Sequence, residues 1–212
     1  MFVMTVDQRG SRRHGDLVPD LLGRLARRWP GVVAGSGVAR PAGCVLPFER
    51  TVGDEVQGLL DDAAVVVEIA LWTLRHGGWS VGIGAGSVEE PLADSARAGS
   101  GPAYVLARDA VEAAKSRQRV VPLAVRGAHH QAALDAEAVL TLVAATAGRR
   151  SVAGWTAIDA LEAAGAGARQ EDVASDMGIT QQAVSQRLRT ALYDEARAAA
   201  RAGAHLLVTA QG

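Results

Sequence analysis

Apolar residues recur along this chain in two rhythms, and the change between them marks out its elements. Residues 2–6, Phe-Val-Met-Thr-Val, form a short run rich in β-formers that stops at Asp7, which predicts a buried strand with that carboxylate at its C-terminal end. From Asp16 the spacing turns helical, through Leu17, Leu21, Leu22 and Leu25 to Trp29, and Pro30-Gly31 ends it. Residues 43–49 predict a second strand, confined by Pro47 to a sheet edge or a bulge. Gly53-Asp54, between two extended stretches, reads as a hairpin tip. A helix over 62–74 turns Val66, Ile69, Ala70 and Leu74 inward, and residues 79–84 form another strand. After a glycine-rich loop, Pro102 opens a helix carrying Tyr104, Ala107, Arg108 and Val111, and residues 120–125 close the sheet.

That order, β-α-β-β-α-β with an extra helix, predicts an α+β fold whose first domain, residues 1–127, is ferredoxin-like or palm-like. Its central strands would set Asp7 beside the Gly53-Asp54 tip. Residues 128–150 read as a helical connector, with the Ala-rich helix 134–147 inside it and the boundary at Gly148-Arg149-Arg150. Beyond it, residues 151–212 are all helical in pattern. Ser151 caps a helix through Trp155, Ile158 and Leu161, Gly165-Ala166-Gly167 breaks the chain, and helix resumes over 192–202 before a last apolar patch at 205–208.

Within that last segment, residues 169–189 carry the outline of a helix-turn-helix. Val173, Ala174 and Met177 share one face, Gly178 supplies a tight turn, and Thr180 offers an N-cap for a helix whose inner face is Ala183, Val184 and Leu188. The outer face then holds Gln181, Gln182, Ser185, Gln186 and Arg189, side chains of the kind that read base edges in a major groove, with Arg187 and Arg169 set for phosphates. The stretch resembles the helix-turn-helix of bacterial transcription regulators, in which V-A-x-x-x-G-I-T/S-x-x-A-V-S recurs. The bland alternative is an αα-hairpin that is polar outside because it faces water. Residues 169–201 hold five arginines and five acids, so one copy binds DNA weakly by charge, and a homodimer on a palindromic site is the expected remedy.

Composition changes the picture little. The chain of 212 residues carries 22 basic and 23 acidic side chains for a net charge of −1, which gives no pull toward polyanions. Lys115 is the only lysine among them. One cysteine, Cys44, excludes an intrachain disulfide and a Cys-rich zinc site, and its apolar setting predicts an inert thiol. No signal peptide or apolar run long enough to span a bilayer is visible, so the expectation is a cytoplasmic protein with no membrane partner.

Two carboxylates at adjacent strand ends can share a divalent metal such as Mg²⁺, and Asp7 and Asp54, with Glu55 next to them, meet that description if the topology holds. Ordinary turn chemistry at the hairpin tip is the other reading. Arg12, with Arg9 and Arg13, follows Asp7 closely enough to meet phosphates, unless all three are solvated loop arginines.

V-D-Q-R-G-S-R-R at 6–13, V-G-D-E-V-Q-G-L-L at 52–60, V-G-I-G at 81–84 and G-P-A-Y-V-L-A-R-D-A at 101–110 resemble, in order, the SatD family of bacterial proteins. SatD-like domains in turn look like the palm domains of class III nucleotidyl cyclases and GGDEF proteins. The resemblance implies Asp7 and Asp54 as a metal pair, Mg²⁺ or a nucleotide as the ligand, and Arg108 as a ligand-binding cation. It also has a departure. Where cyclases carry an Asn four residues before that Arg, this chain has Tyr104, which removes an amide donor and points away from turnover. The expectation is a DNA-binding transcriptional regulator whose palm-like domain dimerises and senses a ligand. The rival is a metal-dependent nucleotide-binding or cyclase-like enzyme with a helical interaction module.

Overall fold

A computed structural model describes residues 1–165 and 167–212. The chain is α+β, with a five-stranded mixed sheet ordered β2-β3-β1-β4-β5. β1 (Phe2–Gln8) lies at the centre, antiparallel to both β3 (Glu55–Leu60) and β4 (Trp79–Ala85). β2 (Cys44–Arg50) is the antiparallel edge, and β5 (Leu123–Gly127) adds to β4 in parallel. Pro47 acts as expected: β2 is an edge strand, and its register with β3 slips on both sides of Leu46.

Alternation along the strands sorts the two faces of the sheet. One face presents Phe2, Met4 and Val6 with Val56, Leu60, Val81, Ile83, Leu123 and Val125, all buried. It is covered by α2 (Val18–Arg28), α3 (Ala63–His76), α5 (His130–Ala147) and α9 (Tyr193–Ala210). Asp62 caps α3, accepting from the backbone N–H groups of Ala64 at 2.7 Å and Val65 at 3.3 Å. On the other face a short turn at Ala96–Ala98 lies over β2 and β3, and β1, β4 and β5 are covered by α4 (Pro102–Ala114). This helix lies so close that a Cβ at Gly82 would sit 2.3 Å from the Val111 nitrogen and one at Gly84 2.2 Å from the Ala103 carbonyl oxygen. The glycines of W-S-V-G-I-G are there for backbone contact between helix and strand.

β5 begins at Leu123, three residues later than its apolar run begins. Val120 is exposed, and Arg119 ties the approach down by donating to the carbonyls of Ala113 at 2.9 Å and Leu123 at 2.8 Å. A single turn of helix, α1 (Ser11–His14), occupies part of the polar stretch after β1.

The remaining helices, α6 (Val152–Ala163), α7 (Gln170–Asp176) and α8 (Gln181–Thr190), build a separate small core around Ala157, Ile158, Val173, Ala174, Val184 and Leu188. Ser151 caps α6, accepting from Gly154 N–H at 3.1 Å. Sequence pattern groups the whole of residues 151–212 together, but α9 spans both cores. Tyr193 packs with α6–α8, whereas Ala204, Leu207 and Ala210 are buried against the sheet unit beside Leu140. The reason is apolar spacing: 204, 207 and 210 repeat every three residues along one face of a helix long enough to reach back. Between α8 and α9 the chain bends at Leu192, a non-glycine residue in the left-handed region at φ 51°.

The small core meets the sheet unit at a cationic joint. Arg75 of α3 forks onto Asp159 of α6 with two 2.6 Å hydrogen bonds, and its guanidinium lies 3.6 Å from the Trp155 ring centroid. Arg150 sits over the same ring at 4.8 Å and donates to the Ala191 carbonyl at 2.8 Å. No helix among the described residues is long and apolar enough to cross a membrane.

Candidate functional site

Two places carry the chemistry anticipated from the sequence. The first is the outer surface of α8. Val173 and Ala174 of α7 are buried against Val184 and Leu188 of α8, and Met177 and Ile179 pack at the bend. Gly178 turns the chain at φ 63°, and the Ile179 N–H returns to the Ala174 carbonyl at 3.0 Å. The Thr180 hydroxyl accepts from Ala183 N–H at 3.2 Å, so α8 starts where its cap predicts.

With its inner face committed to the core, α8 leaves Gln181, Gln182, Gln186 and Arg189 exposed and Ser185 and Arg187 half-buried. Gln181 donates to Gln170 at 3.3 Å, and Gln186 to Thr190 at 3.4 Å, both weak exposed contacts. Neither Arg187 nor Arg189 makes a salt bridge among the described residues. Arg169, at the start of α7, is exposed but engaged by Glu171 two residues on. The arrangement is a rigid helix with amide and guanidinium groups pointing outward, held by a three-helix core.

The second place is the charged end of the sheet face beneath α4. Strand register lines up three rows across β3, β1 and β4: Leu59–Val3–Gly84, then Gln57–Thr5–Gly82, then Glu55–Asp7–Ser80. Polarity rises row by row. Gln57 donates to the Thr5 hydroxyl at 2.9 Å in the buried middle row. In the last row Asp7 faces Glu55 on one side and Ser80 on the other. Asp54 is adjacent, since its carbonyl accepts from the Gln8 N–H at 3.2 Å. The structure thus brings Asp7, Asp54 and Glu55 together.

It also brings Lys115, which sequence reasoning noted only as the single lysine. At the C-terminal end of α4 its ammonium lies 2.9 Å from an Asp7 carboxylate oxygen and 2.8 Å from Glu112. Burial lifts the Asp7 carboxyl above its ordinary pKa, with the negative charges of Asp54 and Glu55 adding and Lys115 opposing. Burial also works against the Lys115 ammonium, but its bonds to Glu112 and Asp7 outweigh that and raise its pKa. The two shifts pull opposite ways for the pair; the 2.9 Å contact decides for an ion pair at neutral pH.

Asp7 and Asp54, the expected metal pair, stand beside a lysine. No group of three or more His, Cys, Asp or Glu among the described residues is disposed to hold a metal ion, and the Lys115 ammonium stands on Asp7. Arg12, exposed on α1, and Arg108, exposed on α4, are not within salt-bridge distance of either Asp7 or Asp54 among the described residues. Arg108 precedes Lys115 by seven residues, about 10 Å along a helix. Tyr104 is half-buried, its hydroxyl packed against Gly99 and without a hydrogen-bond partner among the described residues. Burial, and then the charge of Glu49, raises its pKa. The signal that would have found this cluster is the alternation Val3-Thr5-Asp7, which grades one strand face from apolar to charged, together with a lone lysine ending the helix above it.

No protein-family model, curated protein or solved structure matches the chain.

Proposed function

We propose that this chain is a sequence-specific DNA-binding regulator in which α7, its turn and α8 act as a helix-turn-helix and α8 enters the major groove. The observation that carries the reading is the division of α8: Val184 and Leu188 buried in a dedicated core, Gln181, Gln182, Gln186 and Arg189 outward. Amides pair with adenine and guanidinium with guanine in that groove, and Arg187 and Arg169 serve the phosphates. Thr180 and Ser185 complete the surface at the helix start.

The sheet unit, palm-like in strand order and similar to the SatD family in its motifs, pairs two copies as a homodimer in this reading. Local charge is balanced, so affinity comes from two recognition helices on a palindrome and not from one basic surface. The joint of Arg75, Asp159 and Trp155 fixes the aim of α8 relative to the sheet unit. A ligand of the sheet unit regulates DNA binding only through unequal affinity for competent and incompetent spacings. The enzyme alternative draws no support from Asp7, whose carboxylate is taken by Lys115.

Genome-wide DNA pulldown with the purified protein at near-physiological salt tests the reading. The wild type recovers a few sites sharing a palindrome, and Gln182→Ala/Arg189→Ala loses them. DNA without a shared motif, or none, overturns it.

A further inference from the structure

A net charge near zero hides how the charges of this chain are distributed. Strand pairing puts the end of β1 and the starts of β3, β4 and β5 at one end of the sheet. The core of α6–α8 joins the sheet unit there, where the last turn of α3 sets Arg75 on Asp159. The connecting segments at that end, 9–17, 51–54, 77–78, 115–122 and 148–151, hold eight Lys or Arg against two acids. Those at the opposite end, 29–43, 61–62, 86–101 and 128–129, hold two against five. Of the two acids at the basic end, Asp16 is taken by Arg50. Arg9, Arg12, Arg13, Arg117 and Arg149 are exposed there and make no salt bridge among the described residues.

Three of those five arginines share one short turn, and its backbone is pinned. The Gln8 amide, buried at the end of β1, donates to the Gly15 carbonyl at 2.6 Å and accepts from the Leu17 N–H at 2.9 Å. The Arg9 N–H donates to the Gly78 carbonyl at 2.8 Å, three residues beyond Arg75. We infer that this end of the sheet unit is a second DNA-contacting surface, in which the turn at 9–14, Arg117 and Arg149 neutralise phosphates beside the groove that α8 reads. The inference rests on duplex DNA as the partner of α8. Residues 169–201 are balanced in charge, so α8 supplies choice of sequence and little salt-dependent attraction. The loops add that attraction to what two paired recognition helices supply, and the acidic opposite end turns the basic one toward the duplex on approach.

Fluorescence anisotropy of the full chain tests this on two labelled duplexes, a random sequence and a palindrome recovered by pulldown, over a range of salt concentrations. Arg12→Gln/Arg13→Gln is expected to weaken binding to both alike and to flatten the slope of log affinity against log salt by about one to two, since each lost phosphate contact removes about 0.9. Arg27→Gln/Arg97→Gln takes the same charge from the last turn of α2 and from the acidic end, and its slope is expected to stay near that of the wild type. Gln182→Ala/Arg189→Ala is expected to lose the preference for the palindrome and keep most of the slope. Circular dichroism establishes that each variant is folded, and Arg117→Gln/Arg149→Gln replaces the turn variant if that one is not. An unchanged slope in the turn variant, or an equal fall in Arg27→Gln/Arg97→Gln, overturns the inference and leaves the reading of α8 intact. Turn-dependent binding with no palindrome preferred sinks the reading of α8 and keeps this surface. A wild type that binds neither duplex overturns both.

Discussion

The two cores of this protein differ in how much of the chain each needs. The core of α6–α8 is assembled from residues between Ala157 and Tyr193, so its contacts are local in sequence. The core above the sheet draws on Phe2 at one end and Ala210 at the other, and is complete only when α9 has returned to lie against α3 and α5. A local core positions a surface, and the outer face of α8 is that surface. A non-local core ties the chain ends together, and α9 carries that tie into the small unit through Tyr193.

The largest effects should come from attacking each core separately. Leu207 is fully buried against the sheet unit and Leu188 is nearly so in the small one. Leu207→Ala is expected to cost about 2–5 kcal/mol and to lower the main calorimetric transition. Leu188→Ala, of similar chemistry, is expected to loosen α6–α8 while that transition stays near the wild-type temperature. A single transition displaced equally by both would mean that the cores unfold as one.

The same contrast explains what the sequence made legible. Residues 169–189 declare two helices and a turn because every requirement lies within twenty positions: small Ala174, turning Gly178, capping Thr180. Strand existence, the edge placement of β2 and the Gly53-Asp54 tip were equally readable, since Pro47 and the tip act locally. The late start of β5 was not, because the apolar run from Val120 does not show that Arg119 will fold back onto the carbonyls of Ala113 and Leu123. Nor was the return of α9, because Ala204, Leu207 and Ala210 say only that a helix face is buried, not against what. At the carboxylate cluster, adjacency of Asp7 and Asp54 followed from topology. Lys115 on Asp7 did not, because a flexible side chain at the end of another element chooses its partner in three dimensions.

The joint between the units comes next in size. Arg75 is partly exposed and its partner Asp159 more so, which limits the ion pair, although stacking on Trp155 adds to it. Arg75→Ala is expected to cost about 1 kcal/mol in denaturant titration. Hydrogen exchange should quicken in α6 more than in the strands. Uniform quickening would show that the joint supports the whole fold instead of aiming one part of it.

Smaller still in stability is the surface itself. Gln182→Ala/Arg189→Ala removes two exposed side chains and should change unfolding free energy by less than about 0.5 kcal/mol. A drop well beyond that would mean these residues serve folding, and any loss of DNA recovery in the double variant would then say nothing about recognition.

The least disruptive probe is the native thiol. Cys44 lies in edge strand β2 within the sheet-unit core, and burial pushes its pKa up to about 11. At pH 8 only about one thiol in a thousand is then ionised, and only the thiolate attacks an alkylating reagent. Labelling of the folded protein by iodoacetamide should therefore be slow and limited by opening of the sheet core. Leu207→Ala should accelerate it strongly, because it weakens the core in which Cys44 sits. Leu188→Ala should leave the rate near that of the wild type, because α6–α8 can loosen without exposing β2. Equal acceleration in both would show that opening spreads through α9 from one core to the other, making that helix a coupling strut and the separation of the two cores one of sequence alone.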